Sequence, residues 1–122
     1  MVWTTNLMER GEVLWADLDP VRGSEAAKRR PVVVVTHDRL NRTVTRLGRG
    51  VVTVVPLTSR AERVYSFQVL LPPEGTGLCV DSVAQADQIR AVSITRFGAT
   101  IGHVPPDLMA EIDDAIRLHL DL

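Results

Sequence analysis

Two stretches leave this chain least freedom: Val32-Val33-Val34-Val35 and Val51-Val52-Thr53-Val54-Val55. β-Branched side chains are stiff at χ1 and favour extended backbone. An unbroken apolar run also needs cover on both faces of its sheet. The two runs therefore predict buried strands at the centre of a mainly β domain. The first opens on Arg30-Pro31. Proline fixes φ, pushes the preceding residue towards extended backbone and suits a strand's first position. Arg30 is thus expected as the last residue before the core, a cation with a pinned backbone. Ahead of it runs a charged loop from Asp19 to Arg29, where Gly23 permits a turn and Lys28 and Arg29 add two further cations.

Around these runs the chain reads as short strands. Glu12–Leu18 is apolar on both faces and predicts a first strand, with Trp15 in the core. The second strand is expected over Val32–Thr36, and His37–Gly50 as an exposed, Arg-rich loop. Pro56-Leu57-Thr58-Ser59 is read as closing the Val51–Val55 strand. A fourth strand is expected over Ser66–Leu71, a fifth within Leu78–Val92, and a short edge strand over Gly98–Val104. Helix signals appear at the end alone. Pro105-Pro106-Asp107 opens a helix well, and Leu108, Ile112, Ala115, Ile116 and His119 recur at helical spacing. Many short strands with one terminal helix predict a small, closed or nearly closed β-barrel capped by that helix.

At 122 residues the chain is expected to be one domain, residues 11–122, behind a loose leader of residues 1–10. Met8 is an alternative start within that leader. The net charge of −1 conceals an uneven distribution: eight of the cations lie between Arg22 and Arg49, and the C-terminal end is acidic. Nearly all the cations are arginines, whose forks match phosphate oxygens bidentately. An anion-binding face is one reading and a solvated Arg-rich surface is the other. If the first holds, binding weakens steeply with salt. Cys79 is the sole cysteine, so no intrachain disulfide forms. The sequence shows neither a signal-peptide pattern nor an apolar run of membrane-spanning length, which predicts a soluble cytoplasmic protein.

An ordered set of motifs points further. Gly11-Glu12-Val13-Leu14-Trp15, Asp17-Leu18-Asp19-Pro20, Gly23-Ser24-Glu25, Arg30-Pro31-Val32, Asn41-Arg42, Val55-Pro56-Leu57-Thr58-Ser59 and Asp87-Gln88-Ile89-Arg90 follow one another. Together they resemble the MazF/PemK/Kid family of toxins from toxin–antitoxin modules. The resemblance implies a homodimeric, SH3-like β-barrel, CcdB/Kid-like, that cleaves single-stranded RNA at a short recognition sequence. It implies no metal or other cofactor. It implies attack by the ribose 2′-OH, giving 2′,3′-cyclic phosphate and 5′-OH ends. It also implies a cognate antitoxin that occupies the RNA groove, and the cations of the Arg22–Arg30 loop predict an acidic segment in that partner.

Carried over residue by residue, Arg30 matches the family's functional arginine and Thr58 its functional threonine. Arg30 suits the charge that gathers on phosphoryl oxygens, whereas its high pKa makes it a poor proton shuttle. Thr58 suits positioning of the scissile phosphate. The base is Glu25 in some members and an acid at the position of Asp87 in others. The Asp-using branch has His where this chain has Ser24 and Arg where it has Gln85. Ser24, Lys28, Arg29, Ser59, Tyr65 and Gln88 are further candidates for RNA contact, Tyr65 as a platform for an unpaired base. Each has a plain structural alternative: a strand-opening arginine, a Ser/Thr turn, a solvated acid, a turn aspartate, or Tyr65 packed on Phe67. His37, His103 and His119 are paired by no motif, and no metal-ligand spacing is present. Two other functions stay open, a CcdB-like gyrase-binding toxin and an SH3-like protein-binding module.

Overall fold

The computed structural model describes residues 8–19, 23, 28–59 and 63–122. In chain order these form β1 (Glu12–Asp17), β2 (Arg29–Val34), α1 (Asp38–Leu47), β3 (Val51–Thr58), β4 (Gln68–Leu71), β5 (Ser82–Gln85), β6 (Arg90–Ser93), β7 (Phe97–His103) and α2 (Pro106–Leu120). All strand pairs are antiparallel, in the order β4-β5-β3-β2-β1-β7, with β6 also paired to β3. The mainly β architecture with a C-terminal helix is as expected. Of the closed or nearly closed barrel that was expected, full closure is not found: among the described residues β4 and β7 end the strand path without pairing to each other, which is consistent with the expected SH3-like class.

The valine runs form the centre, and alternation divides their side chains between two cores. Val33, Val55 and Leu57 join Val13, Leu71, Ile112 and Ala115 on one face. Val32, Val34, Val52 and Val54 join Leu14, Leu18, Val44 and Val92 on the other. α2 covers the first core and α1 supplies Val44 to the second. Each strand is therefore buried on both sides, which is why these runs show no polar alternation.

β3 is longer than expected. It passes through Pro56 to Thr58 because of how its backbone groups point. The Val35 N–H donates to the Thr53 carbonyl at 2.9 Å, and the Val34 carbonyl accepts from the Gly11 N–H at 2.7 Å. Odd residues of β2 and β3 thus face each other, whereas even residues face outward neighbours. The missing N–H of Pro31 points towards β3, beyond a ladder that begins at Val32↔Pro56. The missing N–H of Pro56 falls in the gap between the β6 ladder, ending at Val54↔Arg90, and the β5 ladder, starting at Leu57↔Ala84. Neither proline costs a sheet hydrogen bond. The region expected to hold one fifth strand contains two, β5 and β6, on either side of a 3-10 turn at Ala86–Gln88.

The largest departure is α1, where a loop was expected. His37 caps it, its Nδ1 accepting from the Leu40 N–H at 3.3 Å, and Gly48 ends it in the left-handed conformation. Its buried residues are Asn41, Val44 and Thr45, so two of the three are polar and the helix leaves no clear apolar stripe in the sequence. Asn41 Nδ2 donates to the Thr36 carbonyl at 2.7 Å, and Thr45 Oγ1 donates to the Asn41 carbonyl at 2.8 Å. The last residues of the expected leader, 8–10, are packed against the domain. Met8 is buried, and Arg10 donates from Nε to the Val35 carbonyl at 2.9 Å and pairs with Asp113 of α2.

Two glycines set how closely β7 approaches the 76–77 turn. A Cβ on Gly102 would lie 2.0 Å from the Thr76 carbonyl oxygen, and one on Gly77 would lie 2.4 Å from that of Ile101. Backbone meets backbone there, so nothing can rotate away. Gly102→Ala is expected to destabilise the fold by about 2 kcal/mol or more, as overpacking against rigid neighbours does; urea denaturation measures it.

Asp38 supplies a pH-dependent term. Its carboxyl is held below the usual carboxylate range, chiefly by the Arg10 backbone N–H at 2.7 Å, then by Asn41 and the Arg42 and Arg10 charges, against some desolvation. A depressed folded pKa means the contribution is present above the unfolded value, about 3.9, and is lost as pH falls through the lower folded value. Asp38→Asn should therefore lower the urea midpoint at pH 7 and narrow the gap to wild type at pH 2–3. Parallel acid profiles for the two proteins would contradict this.

Candidate active site

The register of the central strands decides what meets at the sheet's end. Carried two residues past Val32↔Pro56, it sets Arg30 of β2 across from Thr58 of β3. By alternation both lie on the face of Val32 and Val54. Each is half-buried, and both line a cleft of about 480 Å³. Lys28, Arg29 and Arg30 give the cleft a cationic side, and Thr58, Ser59 and Ser82 bring hydroxyls. Pro31 and Leu57 alternate to the opposite face, that of Val33 and Val55, and with Leu78 and Ile101 form the apolar part of the lining. The wall at Gly77–Val80 is held by the close crossing of Gly77 and Gly102 described above.

Arg30 was expected just ahead of its strand. Instead Arg29 and Arg30 are both paired strand residues, opposite Asp17 and Ala16 of β1. The guanidinium of Arg30 is thus carried by a backbone fixed on one side by β1. Lys28 precedes it at φ 65°, a left-handed conformation uncommon for a residue with a Cβ. It is held there by its N–H donating to Asp19 Oδ1 at 2.9 Å and its carbonyl accepting from the Leu18 N–H at 3.0 Å.

Trp15 is the residue that sequence reasoning misplaced. It is half-buried rather than in the core, and it lines the cleft. The guanidinium carbon of Arg29 sits 5.3 Å from its ring centroid, in cation–π range. Gly98 makes room for this contact, since a Cβ there would come within 3.1 Å of the Arg29 guanidinium. The pairing Trp15↔Pro31 across β1 and β2 places the indole beside the cleft. No local sequence signal marked it, because the strand pairing that puts it beside the cleft is long-range.

Other candidates lie elsewhere. Asp87 is in the 3-10 turn Ala86–Gln88, half-buried, and accepts from Gln68 Nε2 at 3.4 Å. Neither it nor Gln88, which completes that turn, is among the described residues lining the cleft. Tyr65 is likewise outside it: its ring stacks on Phe67 at 5.5 Å, with Arg63 4.9 Å from its centroid and His119 beyond Phe67 at 6.4 Å. The arrangement is the packing on Phe67 named as Tyr65's alternative. Ser24 and Glu25 lie outside the described residues.

His37 is spent on capping α1, and His103 lies 3.8 Å from the Glu9 carboxylate. Among the described residues no three His, Cys, Asp or Glu side chains group to hold a metal ion. Nor is any helix long and apolar enough to cross a membrane.

Comparison with known proteins identifies the family and the fold. Residues 9–120 match the family model described as PemK-like, MazF-like toxin of type II toxin–antitoxin system. The chain is 56% identical over 116 residues to endoribonuclease MazF9 of Mycobacterium tuberculosis, covering 95% of this chain and 98% of that protein. Its fold superposes on MazF from Deinococcus radiodurans with a TM-score of 0.80 at 28% identity, covering 96% and 99% of the two chains. It also superposes on a mycobacterial endoribonuclease in complex with its cognate antitoxin, with a TM-score of 0.75 at 26% identity, covering 94% and 96%.

Proposed function

Because the chain belongs to the PemK-like, MazF-like toxins of type II toxin–antitoxin systems, we propose that it is an endoribonuclease working in the cleft of Arg30 and Thr58. Its relatives are RNA-cleaving toxins, and a neighbouring structure holds a cognate antitoxin. The chain is an RNA-cleaving toxin neutralised in the same way. The observation that carries the chemistry is that Arg30 and Thr58, cross-strand neighbours at the end of the β2–β3 ladder, line one cleft.

Cleavage proceeds without a metal. The ribose 2′-OH attacks the adjacent phosphorus, the P–O5′ bond breaks, the departing 5′-oxygen takes a proton from water, and the products are a 2′,3′-cyclic phosphate and a 5′-OH. Charge accumulates on the non-bridging oxygens, where a fixed arginine fork stabilises it more than the ground state. That is the role of Arg30. Thr58, with Ser59 beside it, donates to the phosphate and orients it. Lys28 and Arg29 attract the strand. A carboxylate takes the 2′-OH proton, and engagement of Asp87 by Gln68 away from the cleft favours Glu25 for that task. Trp15, with Arg29 over its ring, offers the face on which an unpaired base stacks. The toxin acts in the cytoplasm as a homodimer, and an acidic antitoxin segment silences it by lying over the cationic side.

The test is cleavage of a mixed-sequence single-stranded RNA in excess EDTA. Arg30→Ala is expected to slow cutting about a hundredfold or more, the loss typical of one oxyanion-type donor. Thr58→Ala should slow it less, and cyclic-phosphate ends should disappear in step with the rate. A folded Arg30→Ala protein that cuts at the wild-type rate removes Arg30 from the mechanism. Glu25→Gln should cost more activity than Asp87→Asn; the reverse order reassigns the base.

Trp15→Ala is expected to raise KM by the equivalent of about 1–3 kcal/mol of base stacking while largely sparing kcat. Steady-state kinetics on one RNA separates the two, and an unchanged KM would return Trp15 to a packing role.

A further inference from the structure

The arginine-rich stretch divides in two. Arg29 and Arg30 belong to the cleft, but Arg39, Arg42, Arg46 and Arg49 do not line it. Arg39, Arg42 and Arg46 are spaced i, i+3, i+7 on α1, which puts them on one face of the helix. That face lies opposite the buried Asn41, Val44 and Thr45. Arg49 extends the stripe just past the Gly48 cap. All four are exposed, and none has a carboxylate within ion-pair distance among the described residues. The sole acid on the helix, Asp38, already accepts from the Arg10 N–H and from Asn41.

The placement of this stripe matters more than its charge. Val44 packs into the core formed by Val32, Val34, Val52 and Val54, so α1 covers that face of the sheet. Arg30 and Thr58 project from the same face by alternation. Along β2, Arg30 and Val34, the end nearer α1, are separated by roughly 13 Å at about 3.3 Å per residue. The opposite face carries α2, whose exposed Asp107 and Glu111 repel polyanions. The cleft's apolar lining belongs to the α2-covered core, but a phosphodiester that reaches the Arg30 and Thr58 side chains comes to the face on which α1 presents its cations.

We propose that the Arg39–Arg42–Arg46 stripe of α1 is a second RNA-binding surface, gripping phosphates of the substrate outside the cleft. The proposal rests on the reading of the cleft as an RNA site. The stripe holds the flanking strand by its backbone, so it adds affinity for long RNA without adding sequence preference. Arginine forks suit such contacts. The cleft chooses where to cut, and α1 keeps the strand in place.

The test compares wild type with the triple variant Arg39→Gln, Arg42→Gln, Arg46→Gln. Glutamine keeps helix propensity close to that of arginine, and circular dichroism checks the fold. Binding of a long single-stranded RNA is measured by filter retention in an Arg30→Ala background, so that the RNA stays intact. The triple is expected to bind about tenfold more weakly, with a log K against log salt slope shallower by about 2, for three lost contacts at about 0.7 each. With Arg30 restored, cleavage of the shortest oligonucleotide containing a mapped cut site should be unchanged.

Equal affinity and slope in both proteins would overturn the proposal and leave α1 a solvated face. So would weakened antitoxin binding with RNA binding intact, which would make the stripe a protein-docking surface. If wild type and Arg30→Ala cut RNA at the same rate, the cleft's catalytic reading fails, and the filter comparison still decides the stripe.

Discussion

The β2–β3 register is the constraint on which the rest depends. Val32↔Pro56, Val33↔Val55 and Val34↔Val54 bury their side chains alternately in two cores. A slip of one residue would exchange every side chain between those cores, and with them the faces of Arg30 and Thr58. The stability of the centre and the composition of the cleft are therefore one property. Placing Arg30 and Thr58 at the end of this ladder lets the valines determine where a guanidinium and a hydroxyl come together.

Around that ladder the molecule is polarised. α1 presents arginines over one core, and α2 presents acids over the other. Arg10 ties the two sides together by donating to Asp38 at the start of α1, to the Val35 carbonyl after β2 and to Asp113 of α2. The wall of the cleft is set by a different device, the backbone contact between β7 and the 76–77 turn that two glycines allow. A nuclease of this size has little interior to spare, so side chains that shape the site also hold the fold.

Much of the architecture was legible because it depends on local chemistry. The valine runs read as buried strands, Pro105-Pro106-Asp107 read as a helix start, and the ordered motifs pointed to the toxin family. α1 was not legible. Its contacts with the core run through Asn41 and Thr45, whose burial is tolerable because neighbouring carbonyls receive their donors, and no periodicity of apolar residues records that. Pro56 reads locally as a strand end, since its harmless position between two ladders depends on Ala84 and Arg90, far along the chain. Trp15 was taken for core because its strand is apolar throughout, although the Arg29 contact and the half-open cleft depend on strands paired at long range.

What the sequence by itself determined is the alternation of a β-rich core, the terminal helix and the presence of cations near one strand's start, because those follow from side-chain shape and spacing along the chain. Only the tertiary structure decided that Arg30 and Thr58 share a cleft, that Asp87 and Tyr65 lie outside it, and that the arginines of residues 39–49 form a helical stripe. The physical reason is register: which side chains share a face depends on how distant strands pair, and that pairing is fixed by the burial of the whole core rather than by any one segment.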